Sequence, residues 1–227
     1  MSLHRLTSIT LGVPDVHAST AFFHDFGLTG TGTLSTRDGG AQLELVPSPR
    51  RSLQRLGVGT DDADDLGRIA GRVERSGLGS IVEATGDRLA IAEPVTGLLV
   101  EVTEADPYDV RPTPHTFNRP GANERFDVPA ESVLTADPVR PSNLTHVVYG
   151  TPDQPTTLAF FTEVLGFEIS DQVPGIIAFT RCGEVHHNLA IQAAPVAFPH
   201  HIAFEVDDID DVVRGGQHMV ELDPDRN

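Results

Sequence analysis

Apolar and polar residues alternate with a period of two over residues 7–13 and again over 145–151, and each run closes at a Pro-Asp pair. This pattern predicts a half-buried strand that ends in a turn. In both places the period then lengthens to that of a helix. Ala18, Ala21, Phe22 and Phe26 share one face after the first run, and Leu158, Phe161 and Leu165 do so after the second. Gly27 and Gly166 stand where such a helix would end in a left-handed cap. Further strand-like runs cover 41–46, 55–59, 87–92 and 98–103 in the first half, and 176–180, 188–192 and 201–206 in the second. The runs DDADD and DDIDD follow 55–59 and 201–206 and suit the first turn of a second helix. They lack the glycine and the closing glutamate of a calcium loop.

The two halves are copies. LTSITLGVPDVHASTAFF (6–23) returns 138 residues later as LTHVVYGTPDQPTTLAFF (144–161), identical at eight of eighteen positions. GVGTDDADDL (57–66) returns as AFEVDDIDDV (203–212), offset by 146. Repeats of this kind identify the fold before any single residue does. The expectation is an α+β fold of tandem βαβββ modules, the first over 1–105 and the second over 142–227. A proline-rich connector at 106–141 joins them, with Phe117, Phe126, Val128, Val133 and Leu134 as apolar anchors. In the first copy Glu101 lies on the last strand, 46 residues beyond Arg55, and the same step from His201 runs past Asn227. The second module is therefore expected to stop short of its closing hairpin. Glu221, the nearest carboxylate, falls in a segment that matches helix and turn.

Composition narrows the function. With 33 acidic against 16 basic residues the formal charge is −17, a field that repels phosphate backbones and anionic membrane surfaces. Nucleic acid and membranes are excluded as expected partners, and association with identical chains is expected. No apolar run reaches membrane-spanning length, and the N-terminus lacks the apolar stretch of a signal peptide. The single cysteine, Cys182, fits a reducing cytoplasm and, in a turn without a partner, reads as inert.

The candidate chemistry lies in what the second copy has and the first lacks. His146 stands where the first copy has Ser8, and His201 where it has Arg55. Neither imidazole is needed to build the fold. Two histidines and a carboxylate with open positions suit non-haem Fe(II). In VHHNLAI, strand alternation predicts that His187 faces the same cavity while His186 faces away. In HHIAF it places His201 on the face of the small Ala203. His115 reads as a solvated connector residue.

Tandem βαβββ modules with HVVYGTPD, a helix ending VLGF, then HHNLAIQ and HHIAFEVDD, resemble type I extradiol ring-cleavage dioxygenases. These belong to the vicinal oxygen chelate (glyoxalase/bleomycin resistance) superfamily and include dihydroxybiphenyl and catechol 2,3-dioxygenases. The resemblance implies extradiol cleavage of a catechol-type substrate by O2 at Fe(II), with Mn(II) as the alternative metal. It implies His146 and His201 as metal ligands, His187 as the acid–base histidine, and Val148, Phe179 and His200 as substrate-binding residues. It also implies a third, glutamate ligand on the closing strand, so the 227-residue chain is expected to be inactive by itself. Two other readings share the fold: a metal-free small-molecule binding protein, and a glyoxalase-like lyase or isomerase.

Overall fold

The computed structural model describes residues 3–108 and 137–223. The first half runs β1 (Leu3–Val13), α1 (Val16–Asp25), β2 (Thr33–Thr36), β3 (Gly40–Pro47), β4 (Ser52–Thr60), α2 (Asp64–Ser76), β5 (Ser80–Ala84), β6 (Arg88–Ala92) and β7 (Leu99–Glu104). The second runs β8 (Asn143–Thr151), α3 (Gln154–Ala159), a π-helical turn (Phe160–Leu165), β9 (Glu168–Val173), β10 (Ile177–Arg181), β11 (Leu189–Ala193), β12 (Phe198–Glu205) and α4 (Ile209–Leu222). The first sheet has the order β2-β3-β1-β4-β7-β6-β5, and the second β12-β8-β11-β10-β9.

The α+β architecture in two similar halves is the one expected from the repeat. The first sheet holds more than one βαβββ unit, however. Two units, β1-α1-β2-β3 and β4-α2-β5-β6-β7, meet along the antiparallel β1–β4 pair. The alternation pattern misses β2, β5 and β9. All three close a sheet edge, and β9 is exposed at every residue. β5 and β9 are held by one neighbour's ladder and lie mostly exposed, so they have no reason to alternate, whereas β2 buries Leu34 and Thr36 but is only four residues long. The proposed connector anchors and His115 lie outside the described residues.

The shared motifs do the same local work in each half. The aspartate of each Pro-Asp pair caps the following helix: Asp15 Oδ1 accepts from Ala18 N at 2.9 Å and Asp153 Oδ1 from Thr156 N at 3.2 Å. Gly27 and Gly166 end those helices with φ of +104° and +81°, a region that disfavours a Cβ. The second copy is one residue longer between cap and glycine. The extra residue is absorbed as the π-turn, where Gly166 N–H donates to Phe161 O, five residues back. The aspartate runs do start helices. Asp208 caps α4, and Arg68–Asp65 and Arg214–Asp211 are matching i,i+3 ion pairs.

One apolar core links the halves, running from Leu6, Ile9 and Leu56 through Ile69 and Val73 to Val147, Phe160 and Phe161. Buried polar bonds cross the same seam. Gln42, fully buried, accepts from Thr36 Oγ1 and Leu144 N, both at 2.8 Å, and donates to Asn143 Oδ1 at 2.9 Å. Arg37 grips Asp207 with two 2.8 Å bonds. These bonds fix the start of β8 and the end of β12, the two strands that carry the site histidines. Among the described residues no helix is long and apolar enough to cross a membrane.

Candidate metal centre

β8 pairs with β12 antiparallel, Val148 opposite His201 and Ala203 opposite His146. One further row runs across the sheet: Phe179 lies opposite Ala190, Ala190 beside Val148, and Val148 opposite His201. His146 sits two residues before Val148 on the same strand, and so on the same face. The opposite face, with Val147, Tyr149, Leu189 and Ile191, is buried in the core.

On the first face the imidazoles converge. His146 Nε2 and His201 Nε2 lie 3.2 Å apart. His201 Nδ1 meets His200 Nδ1 at 2.8 Å and His146 Nδ1 faces Thr145 Oγ1 at 3.5 Å, so each ring presents Nε2 to the other. The His187 ring centroid is 4.2 Å from that of His146, and Phe179 stands edge-on to His187 at 5.1 Å. Burial, reinforced by the neighbouring His187 and His201, pushes His146 down to about 4. Burial likewise lowers His187, with repulsion from His186 and His201, and lowers His201, with repulsion from His200. All three rings are neutral at pH 7, with lone pairs free for a metal or a proton.

The pair fits two adjacent positions around one ion, since donors about 2.1 Å from a metal stand roughly 3.0–3.4 Å apart. The expected carboxylate does not join it: no group of three histidine, cysteine or acidic side chains with metal-binding geometry occurs among the described residues. Glu221 lies on α4, where its Oε1 accepts from Gln217 Nε2 at 2.8 Å. Among the described residues two imidazoles are thus present without a third donor.

Strand alternation fails at two places. β11 begins at Leu189, so His186 and His187 belong to the loop before it. His186 does not face away: its Nδ1 is 3.0 Å from His187 Nδ1, and its ring lies 5.8 Å from Phe179. On β12 a bulge at His200 shifts the register between Pro199 and His201. It leaves His200 exposed beside His201, their centroids 5.0 Å apart. The first copy carries the same bulge at Gln54. A cavity of about 600 Å³ opens on that side, bordered by His200, His201, Ile202, Phe22, Phe23 and Arg51. Val148, only 4% exposed, and Phe179 lie on the histidine face but do not border this cavity.

No period or motif singles out Asn188, which holds the loop of His187. This buried side chain accepts from Cys182 N at 2.9 Å and Cys182 Sγ at 3.4 Å through Oδ1, and donates to Thr145 O at 3.3 Å through Nδ2. It thereby ties the residue before His146 to the residue after His187. Cys182 is part of this clamp, and burial pushes its thiol up to about 12, which keeps it unreactive.

A family model of the glyoxalase/bleomycin resistance protein/dioxygenase superfamily matches residues 143–223. The biphenyl-2,3-diol 1,2-dioxygenase of Metapseudomonas furukawaii is 32% identical over 235 residues, which cover 93% of this chain and 73% of that protein. The enzyme of the same name from Paraburkholderia xenovorans LB400 is also 32% identical, over 93% of this chain and 74% of its own. Among solved structures, BphC, a halotolerant catechol dioxygenase, superimposes with a TM-score of 0.73 at 21% identity over 98% of this chain and 76% of that one. The Mn(II)-bound glyoxalase from Novosphingobium aromaticivorans gives 0.71 at 21% identity over 97% and 71%. At about a third of residues identical across nearly three quarters of those relatives, the chain belongs to the extradiol dioxygenase family within the glyoxalase/bleomycin resistance protein/dioxygenase superfamily.

Proposed function

We propose that this protein cleaves a catechol-type aromatic ring beside its two hydroxyls with O2, using Fe(II), or Mn(II) in its place, held by His146 and His201. The observation that carries this reading is the convergence of their Nε2 atoms at 3.2 Å, in the copy that alone has both histidines. The names of the biphenyl-2,3-diol relatives support the substrate class. When bound, the ion supplies a template for both reactants and a path for charge between them.

The remaining work falls to the protein. His187, neutral and with Nδ1 turned to His186, leaves Nε2 to take a proton from a catechol hydroxyl and to return it during ring opening. Phe179, edge-on to His187, and Val148 beneath offer the apolar surface that an aromatic ring needs. His200 and Thr145 hold the two ligand rings with Nε2 inward, the orienting role that outer partners of metal-bound histidines play.

The test is oxygen uptake with catechol and 2,3-dihydroxybiphenyl after anaerobic Fe(II) loading. It is run on the 227-residue chain and on a fusion that appends a relative's closing strands. One O2 consumed per catechol by the fusion, abolished by His146→Ala, is the expected result. Catechol left unaltered by both iron-loaded forms refutes the reading.

A further inference from the structure

The second helix of each half packs differently. In the first half α2 closes the core: Leu66, Ile69 and Val73 are buried and meet the π-helical turn, whose Phe160, Phe161 and Val164 are fully buried. The repeat puts Val212, Gly215 and Met219 of α4 at those three positions, and Gly216 at that of Ala70. On α1, Phe22 and Phe23 stand where the second half has Phe160 and Phe161. The seam that is packed in one place is hollow in the other. Val212 is 56% exposed against 5% for Leu66, and Phe22 39% against 0% for Phe160. A cavity of about 550 Å³ lies between α1 and α4, bordered by Phe26, Phe204, Val139, Val206, Gly215 and Gly216. The backbone does not need these glycines: neither has a positive φ, and glycine weakens a helix interior. No neighbour demands them either. A Cβ at Gly215 would only touch Val139, at 3.7 Å, and one at Gly216 would meet nothing within 4 Å.

We propose that the cavity opened by Gly215 and Gly216 binds one uncharged aromatic molecule, at a site apart from the histidine face. Its wall is aromatic. Phe22 stacks on Phe26 with centroids 6.2 Å apart, Phe26 tilts against Phe204 at 5.8 Å, and Phe23 meets Phe204 edge-on at 6.5 Å. Ring faces and edges so arranged favour another ring, and a space of this size takes a molecule of one or two rings. Its mouth is acidic. Asp25, Asp137, Asp211 and Glu221 border it against one guanidinium, and Arg214 is already held by Asp211 Oδ1 at 2.5 Å and Asp137 O at 2.9 Å. That field disfavours an anionic ligand. None of His146, His187, His200 and His201 borders the cavity, so binding there needs no metal.

The experiment titrates the metal-free 227-residue chain against prodan, a neutral naphthalene ketone, and follows its emission. One probe per chain is expected, with blue-shifted emission and a Kd below roughly 200 µM. Gly215→Ile restores the residue of the first copy and fills the space, so binding should weaken more than roughly 10-fold while Tm holds or rises. Gly67→Ala, at an exposed glycine of α2 with nothing within 4 Å, should raise Tm and leave binding unchanged. His146→Ala/His201→Ala should bind prodan as the parent does. Failure of the catechol reading therefore leaves this site standing, and loss of prodan from that variant overturns the site alone. The proposal is also overturned by no binding to the parent chain or by undiminished binding to folded Gly215→Ile. Affinity for the anionic 8-anilinonaphthalene-1-sulfonate equal to that for prodan overturns it as well. Should Gly215→Ile not fold, Phe26→Ala decides: a loss of about 5-fold or more supports the site, and unchanged binding overturns it.

Discussion

Asn188→Ala isolates the clamp that joins the two histidine segments. The substitution removes a 2.9 Å bond from Cys182 N–H, a 3.3 Å bond to Thr145 O and a weak 3.4 Å contact from Cys182 Sγ. Each of the two stronger bonds contributes about 1 kcal/mol net, and a stranded buried partner costs about 1–3 kcal/mol. Asn188 is 4% exposed and Thr145 and Cys182 are half-buried, so water satisfies the stranded groups only in part. The sum is a destabilisation of about 2–4 kcal/mol. For a chain of this size that lowers Tm by roughly 5–15 °C. Differential scanning fluorimetry measures the shift, and urea unfolding separates it from a change in the compactness of the unfolded chain. Cys182→Ala serves as the control, since it loses the sulfur contact and the packing of Sγ on the core but keeps the backbone bond to Asn188; its shift should stay below that of Asn188→Ala. Equal shifts from the two variants, or a shift under about 2 °C for Asn188→Ala, would mean that the clamp does not hold the loop.

Three other outcomes follow from the geometry. His146→Ala should weaken Co²⁺ binding by more than roughly 100-fold and His187→Phe by less than about 10-fold, while His187→Phe slows ring cleavage in the active form by roughly 10²–10⁴-fold; comparable losses of metal from both would erase the division between ligand and proton carrier. Gln42→Leu keeps the volume but strands Asn143 Oδ1, Leu144 N–H and the Thr36 hydroxyl at the seam, and should cost about 2–4 kcal/mol by urea unfolding, with no loss expected only if water enters the seam. His4 and His146 are both lowered by burial, so the unfolded chain binds protons that the folded one refuses. Stability is then full above pH 6.5 and falls as the pH drops toward 4, and a urea midpoint at pH 5 that equals the one at pH 7.5 would contradict this.

The repeat was legible in the sequence because each copy must solve the same local problems. The apolar runs mark β1 and β8, although residues 147–151 of β8 are buried on both faces, Asp15 and Asp153 cap the helices, and Gly27 and Gly166 supply a left-handed backbone. Comparing the copies singled out His146 and His201, because a difference between two solutions to one folding problem points to chemistry rather than architecture. Tertiary structure alone decided the rest. The edge strands β5 and β9 take their conformation from a neighbour's ladder and leave no pattern of their own, and β2 is too short for its alternation to stand out. The bulge at His200 and the late start of β11 break the alternation on which the facing of His200, His186 and His187 depended. Asn188 clamps residues 43 positions upstream and 6 upstream in one stroke, and the Arg55–Glu101 pair spans 46 positions. Hydrogen bonds of such separation have no local period. They exist only once the sheets have brought their partners together.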